Sequence, residues 1–425
     1  EEWMNTDGFR KMMQDEFPED AAEWLDPVSR RRFLTLMGAS AALAGAVGCN
    51  YSLRPMSQRK VVPYVRQPEQ LLPGVPLFFA TAVPQAGGVG LGLIAKSVEG
   101  RPIKVEGNPN HPTSLGATNV AAQGSTLSMY DPDRSKSATF GNSPVSYEKA
   151  VNAIKAELTK QRDKGGAGVR IVSEPTTSPT LTALVEEFLK RNPGAKWVQY
   201  EPAGATAAKV AARDAFGKFV NPVYKFADAD VVLALDSNFL DDGAGSVRAA
   251  RDFMARRKVR TLKAGLAAKD GFDKPQNRLY AVESMVTGTG GTADHRLPLK
   301  PSEIEAFARA VAIELGVAGI AAGVLPDAAK AWVKPVADDL KSKPGRSLVL
   351  VGDSQPAAVH RIALAINQKL DAVGKTVVFT DPLEARASDS VADLKALADD
   401  LKAGKVELLL VLNANPVYDA PADLE

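Results

Sequence analysis

Four short polar segments follow apolar, strand-like runs of the sequence, and they are the segments best placed to bind a ligand. They are Asp236-Ser237-Asn238, Gly352-Asp353-Ser354, Thr380-Asp381-Pro382 and Asn413-Ala414-Asn415-Pro416. In doubly wound α/β folds, ligands lie outside the carboxyl ends of the strands, where such segments would stand. Asp236, Asp242, Asp353 and Asp381 would place carboxylates at these loops, and a carboxylate strongly repels an anionic ligand in a low dielectric. We interpret these loops as a ligand site that has lost its ligand.

The composition gives little support for a metal site or a catalytic nucleophile. The chain has one Cys, Cys49, and three His in 425 residues, so it cannot by itself form a four-Cys zinc site or iron–sulfur cluster. A Ser/His/Asp triad could be imagined around Ser354 and His360, but no G-x-S-x-G elbow is present. We interpret Ser354 as a helix cap, His360 as a surface residue and His111 as a turn residue. The sequence predicts no catalytic, cofactor-binding or metal-binding residue.

The overall charge argues against nucleic acid as a partner. Fifty-two Lys and Arg face 50 Asp and Glu, which leaves a net charge of +2. A balance so close to neutral excludes broad electrostatic capture of nucleic acid or of an anionic membrane. With 45% hydrophobic residues, the chain has the composition of a globular protein.

An export signal is the most specific motif. Ser29-Arg30-Arg31-Arg32-Phe33-Leu34 precedes an uncharged run that ends at Gly48. Arg30, Arg31, Phe33 and Leu34 form the core of a twin-arginine signal, and the alternative is an Ala-rich core helix behind a basic cluster. Cys49 follows two small residues as in a lipobox, so it is a candidate for lipidation; the alternative is a small buried Cys.

The leader before the arginines is acidic. Its apolar residues Phe9, Met12, Met13 and Phe17 recur at helical spacing, which predicts a short amphipathic helix, although a loosely ordered tail remains an alternative. Because positive charge stays on the cytoplasmic side, we expect a retained leader with residues 1–29 cytoplasmic. The run from 33 to 48 would then cross the bilayer, packed on neighbouring helices, with Cys49 unacylated.

The rest of the chain predicts a β-rich module followed by an α/β body. Five prolines between 63 and 84 indicate an extended start, and residues 92–99 and 102–106 form a hairpin around Gly100-Arg101. Residues 90–95 formally fit a dinucleotide fingerprint, which we reject because strand and turn follow rather than a helix. Further strands are predicted at 169–172, 197–200, 230–235, 259–262, 279–283, 347–351, 376–379 and 407–412, and helices at 147–160, 181–191, 246–257, 304–315, 357–370 and 391–401.

Alternation of strands and helices predicts an α/β fold with doubly wound parallel sheets, two of them, behind the β-rich N-terminal module. The predicted domains are a leader with its signal and membrane segment, an extended β-rich module and two α/β domains, the second incomplete. Their bounds are residues 1–60, 61–145, 146–300 and 301–425.

One stretch resembles the opening of molybdopterin oxidoreductases of the dimethyl-sulfoxide-reductase family. The matching residues are Gly100-Arg101-Pro102-Ile103-Lys104-Val105-Glu106-Gly107-Asn108-Pro109, His111-Pro112, Gly116, Gln123-Gly124 and Tyr130-Asp131-Pro132-Asp133-Arg134. Residues 287–292 with Asp294 echo a segment of that family, and the 413–416 segment resembles the family's loops that hold the pterin dinucleotide. The cysteine of the family's iron–sulfur cluster is absent, since Ala121 and Ala122 stand before Gln123. The resemblance therefore implies a molybdopterin-oxidoreductase-like fold without the cluster.

A narrower resemblance rests on the acidic leader, the arginine motif, the VPYVRQPE segment at 62–69 and the cluster-less module. Together they resemble the large iron–sulfur subunit of bacterial alternative complex III, in its cofactor-free N-terminal half. This implies a piece of a longer chain, or a split subunit, with [4Fe–4S] and [3Fe–4S] clusters in a missing ferredoxin-like part. The implied partners are a polytopic quinol-binding membrane subunit and multihaem and monohaem cytochromes that carry haem c.

The resemblance implies a non-catalytic scaffold in a menaquinol:electron-acceptor oxidoreductase on the periplasmic side of the bacterial cytoplasmic membrane. The alternative is a catalytic molybdopterin subunit, like those of polysulfide or thiosulfate reductases. That enzyme would need a Ser, Cys or Asp metal ligand, or an open site, and loops that bind phosphate. A third possibility is an exported binding protein.

Overall fold

The computed structural model describes residue 69 and residues 71–202, 204–257, 276–384 and 386–421. The export-signal residues Arg30, Arg31, Phe33 and Leu34, the candidate lipidation site Cys49 and the strand predicted at 259–262 lie outside the described residues. All elements below belong to one compact unit, residues 72–425. The domain boundaries drawn after residues 60, 145 and 300 stay predictions.

The N-terminal module is built on a three-stranded antiparallel sheet in the order β1-β2-β3. Its strands are β1 (Leu77–Pro84), β2 (Gly90–Val98) and β3 (Arg101–Gly107). Glu99 and Gly100, with φ of 51° and 78°, form the tight turn between β2 and β3, so the predicted hairpin is confirmed. Residues 90–95, which formally fit a dinucleotide fingerprint, lie within β2, as expected. Strand β1 was not predicted; it lies in the proline-punctuated stretch expected only to be extended.

A helix and a small hairpin complete this module. They are α1 (Val120–Met129) and the antiparallel pair β4 (Ala138–Phe140) and β5 (Ser143–Val145). Asn119 caps α1, because its side chain accepts a hydrogen bond from the amide of Ala122. Leu93, Val105 and Ala122 form a core with Val247, which belongs to the α/β body.

The larger parallel sheet has four strands in the order β11-β10-β9-β12. They are β9 (Val231–Leu235), β10 (Arg278–Glu283), β11 (His295–Pro298) and β12 (Ser347–Val351), accompanied by α5 (Ser246–Ala255), α6 (Gly288–Thr292), α7 (Pro301–Glu314), α8 (Asp327–Lys341) and α9 (Ala357–Lys369). Every residue of β9 and β12 is buried, because strands of a parallel sheet are covered on both faces.

The smaller parallel sheet has three strands in the order β14-β6-β7. They are β6 (Val169–Ser173), β7 (Lys196–Gln199) and β14 (Leu408–Leu412), with α2 (Tyr147–Arg162), α3 (Pro179–Arg191), α4 (Thr206–Phe216), α10 (Ser390–Lys402) and α11 (Pro416–Asp419) nearby in the sequence. The predicted fold class is confirmed: the chain is an α/β protein with parallel sheets behind a β-rich N-terminal region.

One predicted strand has a different partner from the one expected. The strand grouped with the parallel set at 376–379 is β13 (Val377–Thr380), and it pairs antiparallel with β8 (Asn221–Tyr224) in a separate ribbon. An apolar run shows that a strand is buried but not which neighbour it pairs with, and β8, which contains Pro222, was not predicted. Helices α1, α4 and α8 were also missed. In the described ranges no helix is both long and apolar enough to cross a bilayer.

Candidate functional site

Each parallel sheet has a point where the strand order reverses, and a crevice at the carboxyl ends is expected there. In the larger sheet, β10 and β12 lie on opposite sides of β9; in the smaller sheet, β7 and β14 lie on opposite sides of β6. Asp236 follows β9 and Asn413 follows β14, each with φ of 51°. The structure therefore places these two predicted segments, and Gly352 after β12, at the switch points.

The switch point of the larger sheet is closed by the protein's own groups. Asp236 Oδ2 accepts hydrogen bonds from Ser354 Oγ at 3.0 Å and from Gln355 Nε2 at 2.9 Å. A Cβ atom added to Gly352 would lie 1.8 Å from the carbonyl oxygen of Asp236, so the two strand ends are in direct backbone contact. Both side-chain donors are thus directed at Asp236.

The glycine-rich segment at 287–292 is the short helix α6, and its first amide groups bind internal acceptors. The amide of Thr289 donates to Asn238 Oδ1 at 3.1 Å, and that of Gly290 to Thr287 Oγ1 at 3.2 Å. Thr287 in turn donates its hydroxyl to Glu283 Oε2 at 2.7 Å. A turn that could in principle bind an anion is thus occupied by side chains of this chain.

The acids beside this segment are paired as well. Glu283, only 3% exposed, accepts a hydrogen bond from Arg296 Nε at 2.6 Å. Asp294 forms an ion pair with Arg257 and accepts a hydrogen bond from the amide of Leu279 at 2.7 Å. These pairs make the segment a structural junction between β10 and β11.

A recess lies at the carboxyl end of β7. It is small, with a cavity volume of about 10 Å³, and its lining includes Gln199, Glu201, Lys209, Glu384 and Arg386. Lys209 Nζ and Glu384 Oε1 form an ion pair at 2.6 Å, and Glu201 accepts the amide of Gly87 at 2.9 Å. Gln199 is 2% exposed, and neither atom of its amide has a hydrogen-bond partner in the structure. The charged groups that line the recess are of both signs, and most of them already have partners.

Negative charge dominates where the loop after β12 approaches this recess. Partial removal from water raises the pKa of Asp353, and the nearby charges of Glu201 and Asp242 raise it further, against the opposing effect of Lys209. Burial also acts to raise the pKa of Glu384, but the hydrogen bond and charge of Lys209 outweigh it and hold that pKa below its usual value. Such surroundings disfavour a further anion.

The interpretation of Ser354 and His360 is wrong in both parts. Ser354 does not cap α9, whose N-cap is Pro356; it donates to Asp236 instead. His360 is buried, and burial lowers its pKa to about 4. Among the described residues, His360 Nε2 has no hydrogen-bond partner and the Ser354 hydroxyl donates to Asp236, so Ser354 and His360 do not form a nucleophile–base pair.

The remaining predicted positions have structural contacts. His111 lies in a turn, with Nδ1 2.8 Å from Thr113 Oγ1. Asp381 pairs with Lys218 on the surface at 3.0 Å, and Asn413 donates to Glu174 at 2.8 Å. Among the described residues, no group of three or more His, Cys, Asp or Glu is arranged to hold a metal ion.

Sequence reasoning missed the recess. Glu201 lies just beyond the strand predicted at 197–200, so the rule that singled out Asp236 would also have found it. Lys209 and Glu384 carried no signal, because α4 was not predicted and the two residues meet only in the folded chain.

No protein-family model matches the chain. It is 26% identical over 373 residues to the "menaquinone reductase, molybdopterin-binding-like subunit" of Nitratidesulfovibrio vulgaris strain Hildenborough, a match that covers 78% of this chain and 51% of that subunit. The chain spans about half the length of this curated relative.

A solved structure gives a weaker likeness. The chain is 14% identical to one in the formyltransferase/hydrolase complex of Methylorubrum extorquens with methylofuran, with a TM-score of 0.39 and coverage of 62% of this chain and 76% of that one. A likeness at this level carries no conclusion.

The phosphates of a molybdopterin dinucleotide do not fit the switch point of the larger sheet or the recess beside β7. They would need free donors at the switch points, where Asp236 is held by Ser354 and Gln355. At the neighbouring recess they would meet Glu201 and Asp353. A phosphate beside these carboxylates would be repelled, and Lys209 in the same recess is already paired with Glu384.

Proposed function

We propose that this chain is a non-catalytic structural part of a membrane-associated, menaquinone-linked oxidoreductase complex. The observation that carries the proposal is the switch point of the larger sheet, where the side-chain donors of Ser354 and Gln355 are bonded to Asp236 rather than directed at a ligand. The name of the relative supports the menaquinone link, since that protein is a molybdopterin-binding-like subunit of a menaquinone reductase.

More specifically, we propose that this complex is alternative complex III. Electrons would pass from quinol through iron–sulfur clusters in a ferredoxin-like part to cytochrome c. The chain would support that route from the periplasmic side, reached by twin-arginine export, beside a polytopic quinol-binding subunit and cytochromes with haem c. The residue motifs of the leader and of residues 62–134 support this assignment.

Cofactor content is the direct test of a structural role. We expect the purified complex to contain molybdenum and tungsten far below one atom per chain, with no extractable pterin, because the loops repel the cofactor's phosphates. Elemental analysis and the fluorescence of oxidised pterin measure both, and iron in the same sample serves as the recovery control. Stoichiometric molybdenum together with pterin would overturn the proposal and favour the catalytic molybdopterin subunit.

Export is predicted to depend on the arginine pair. Changing Arg30 and Arg31 together to Lys preserves the charge but removes the paired guanidinium groups, which lysine cannot imitate. We expect at least a tenfold loss of protein outside the cytoplasm, measured by cell fractionation and immunoblotting. Arg32→Lys is the matched control, since Arg32 is not one of the core residues. Normal export of the double variant would contradict the twin-arginine assignment.

A further inference from the structure

Strand β14 is apolar but uncovered, in contrast to its neighbours. It is a run of four Leu and one Val, yet none of its residues is buried, whereas every residue of β6 beside it is buried. Leu409, Val411 and Leu412 are 37%, 44% and 40% exposed. A continuous apolar run is typical of a parallel strand covered on both faces, so the sequence of β14 is that of an inner strand.

The edge of β14 is free as well. In the described chain, β14 pairs with β6 alone and stands at the end of the order β14-β6-β7. Val411 is in register with Val172 and so lies on the face of the sheet where Leu394 and Leu397 of helix α10 pack with Val172 and Val198, yet Val411 itself stays 44% exposed. An exposed apolar edge strand is a template for another strand and an aggregation hazard when left uncovered.

The short helix that follows adds to this surface. Val417 and Tyr418 in α11 are 98% and 88% exposed, although α11 is anchored by a 2.6 Å hydrogen bond from the Tyr200 hydroxyl to the carbonyl of Asp419. We define the β14 surface as Leu409, Val411, Leu412, Val417 and Tyr418 with the free edge of β14.

We propose that the β14 surface binds a further strand of the smaller sheet, supplied by polypeptide that corresponds to the part of the curated relative outside the match. That part is about half of the relative, since the match covers 51% of it. The strand would pair with the free edge, and an apolar segment next to it would cover Leu409 and Val411. This inference is independent of the function proposed above, because it rests on burial, strand order and the extent of the match and not on cofactor content.

Photo-cross-linking in the assembled complex identifies the occupant. With a benzophenone amino acid in place of Val411, we expect a cross-linked peptide whose sequence aligns with the unmatched part of the relative. A cross-link to a second copy of residues 1–425, or to an unrelated membrane subunit, would overturn the proposal. So would the absence of any cross-link together with rapid hydrogen exchange of the β14 amides in the complex.

Surface variants test the energetic role. Leu409→Lys with Val411→Lys is expected to weaken retention of that polypeptide at least tenfold, while the melting temperature of the separately purified chain changes little, because both side chains are already partly exposed. Val324→Lys, at a site 95% exposed on another loop, is the matched control and should change neither. Unchanged retention in the double variant would contradict the proposal, whatever the cofactor content of the complex.

Discussion

Replacing Asp230 with Asn is expected to lower the free energy of unfolding by about 3 kcal/mol. Asp230 Oδ1 accepts hydrogen bonds from Arg256 Nη2 at 2.6 Å and from Arg346 Nη2 at 2.7 Å, and Oδ2 accepts from Arg346 Nε at 2.5 Å. The Arg256 side chain is 5% exposed, so the variant removes the charge of Asp230 from beside a buried cation. Denaturant-induced unfolding at neutral pH measures the loss.

The contacts of Asp230 with the two arginines also predict that the stability of the protein depends on pH in the acid range. The hydrogen bond from Arg346, then that from Arg256, holds the pKa of Asp230 at about 2, below the usual 3.8, while burial acts in the opposite direction. A carboxyl with a lowered folded-state pKa stabilises the fold above its unfolded pKa, and this stabilisation is lost as the pH falls through the folded value. The difference between wild type and Asp230→Asn should therefore be complete above pH 5 and shrink between about pH 4 and pH 2.

An exposed ion pair supplies the control for this prediction. Glu157 and Lys160, three residues apart on α2, are each at least half exposed and lie 2.7 Å apart. Glu157→Gln should cost less than about 1 kcal/mol, because water already solvates both charges. Equal effects of the two substitutions would show that burial of Arg256 does not set the cost.

Gly290→Ala is the second substitution with a large expected effect. A Cβ atom at this position would lie 1.6 Å from Glu283 Oε1, so the buried carboxylate must move. Movement would break its hydrogen bonds to Arg296 and Thr287 at the junction of β10 and β11. We expect a loss of about 2–3 kcal/mol, the range typical of overpacking in a tight interior, measured by thermal or denaturant unfolding.

Gly291 offers a control one residue away in the same short helix. A Cβ atom there has no atom within 4 Å, and the position does not have a positive φ. Gly291→Ala should be neutral or stabilise the protein by up to about 1 kcal/mol, because it reduces the freedom of the unfolded chain. If Gly290→Ala were as mild as Gly291→Ala, the close packing against Glu283 could not be holding the segment in place.

The elements that could be predicted were those with a strong local pattern. The hairpin at β2 and β3 and the strands β6, β9, β12 and β14 lie where apolar periodicity placed them. Helix α8 was missed although Val336 and Leu340 on it are fully buried, because Pro335 and a Lys- and Ala-rich composition obscured its apolar stripe. Strand β13 was predicted, but its antiparallel pairing with β8 was not, since pairing depends on residues more than 150 positions away.

The candidate site shows the same division. Carboxylates after the strand ends were visible as residue types, and Asp236 does lie at a switch point. The partners that close this site, Ser354 and Gln355, are distant in sequence, and nothing local indicated that they would reach Asp236.

The sequence by itself determined the α/β class, the molybdopterin-oxidoreductase-like resemblance and the carboxylates of the strand-end loops, because composition, periodicity and short motifs are local properties of a chain. Only the tertiary structure decided which carboxylates are neutralised, that His360 is buried and that β14 is an uncovered edge strand. Burial, hydrogen bonding and strand order depend on segments that come together only when the chain folds. The pKa values and docking surfaces of the protein are set by these tertiary contacts.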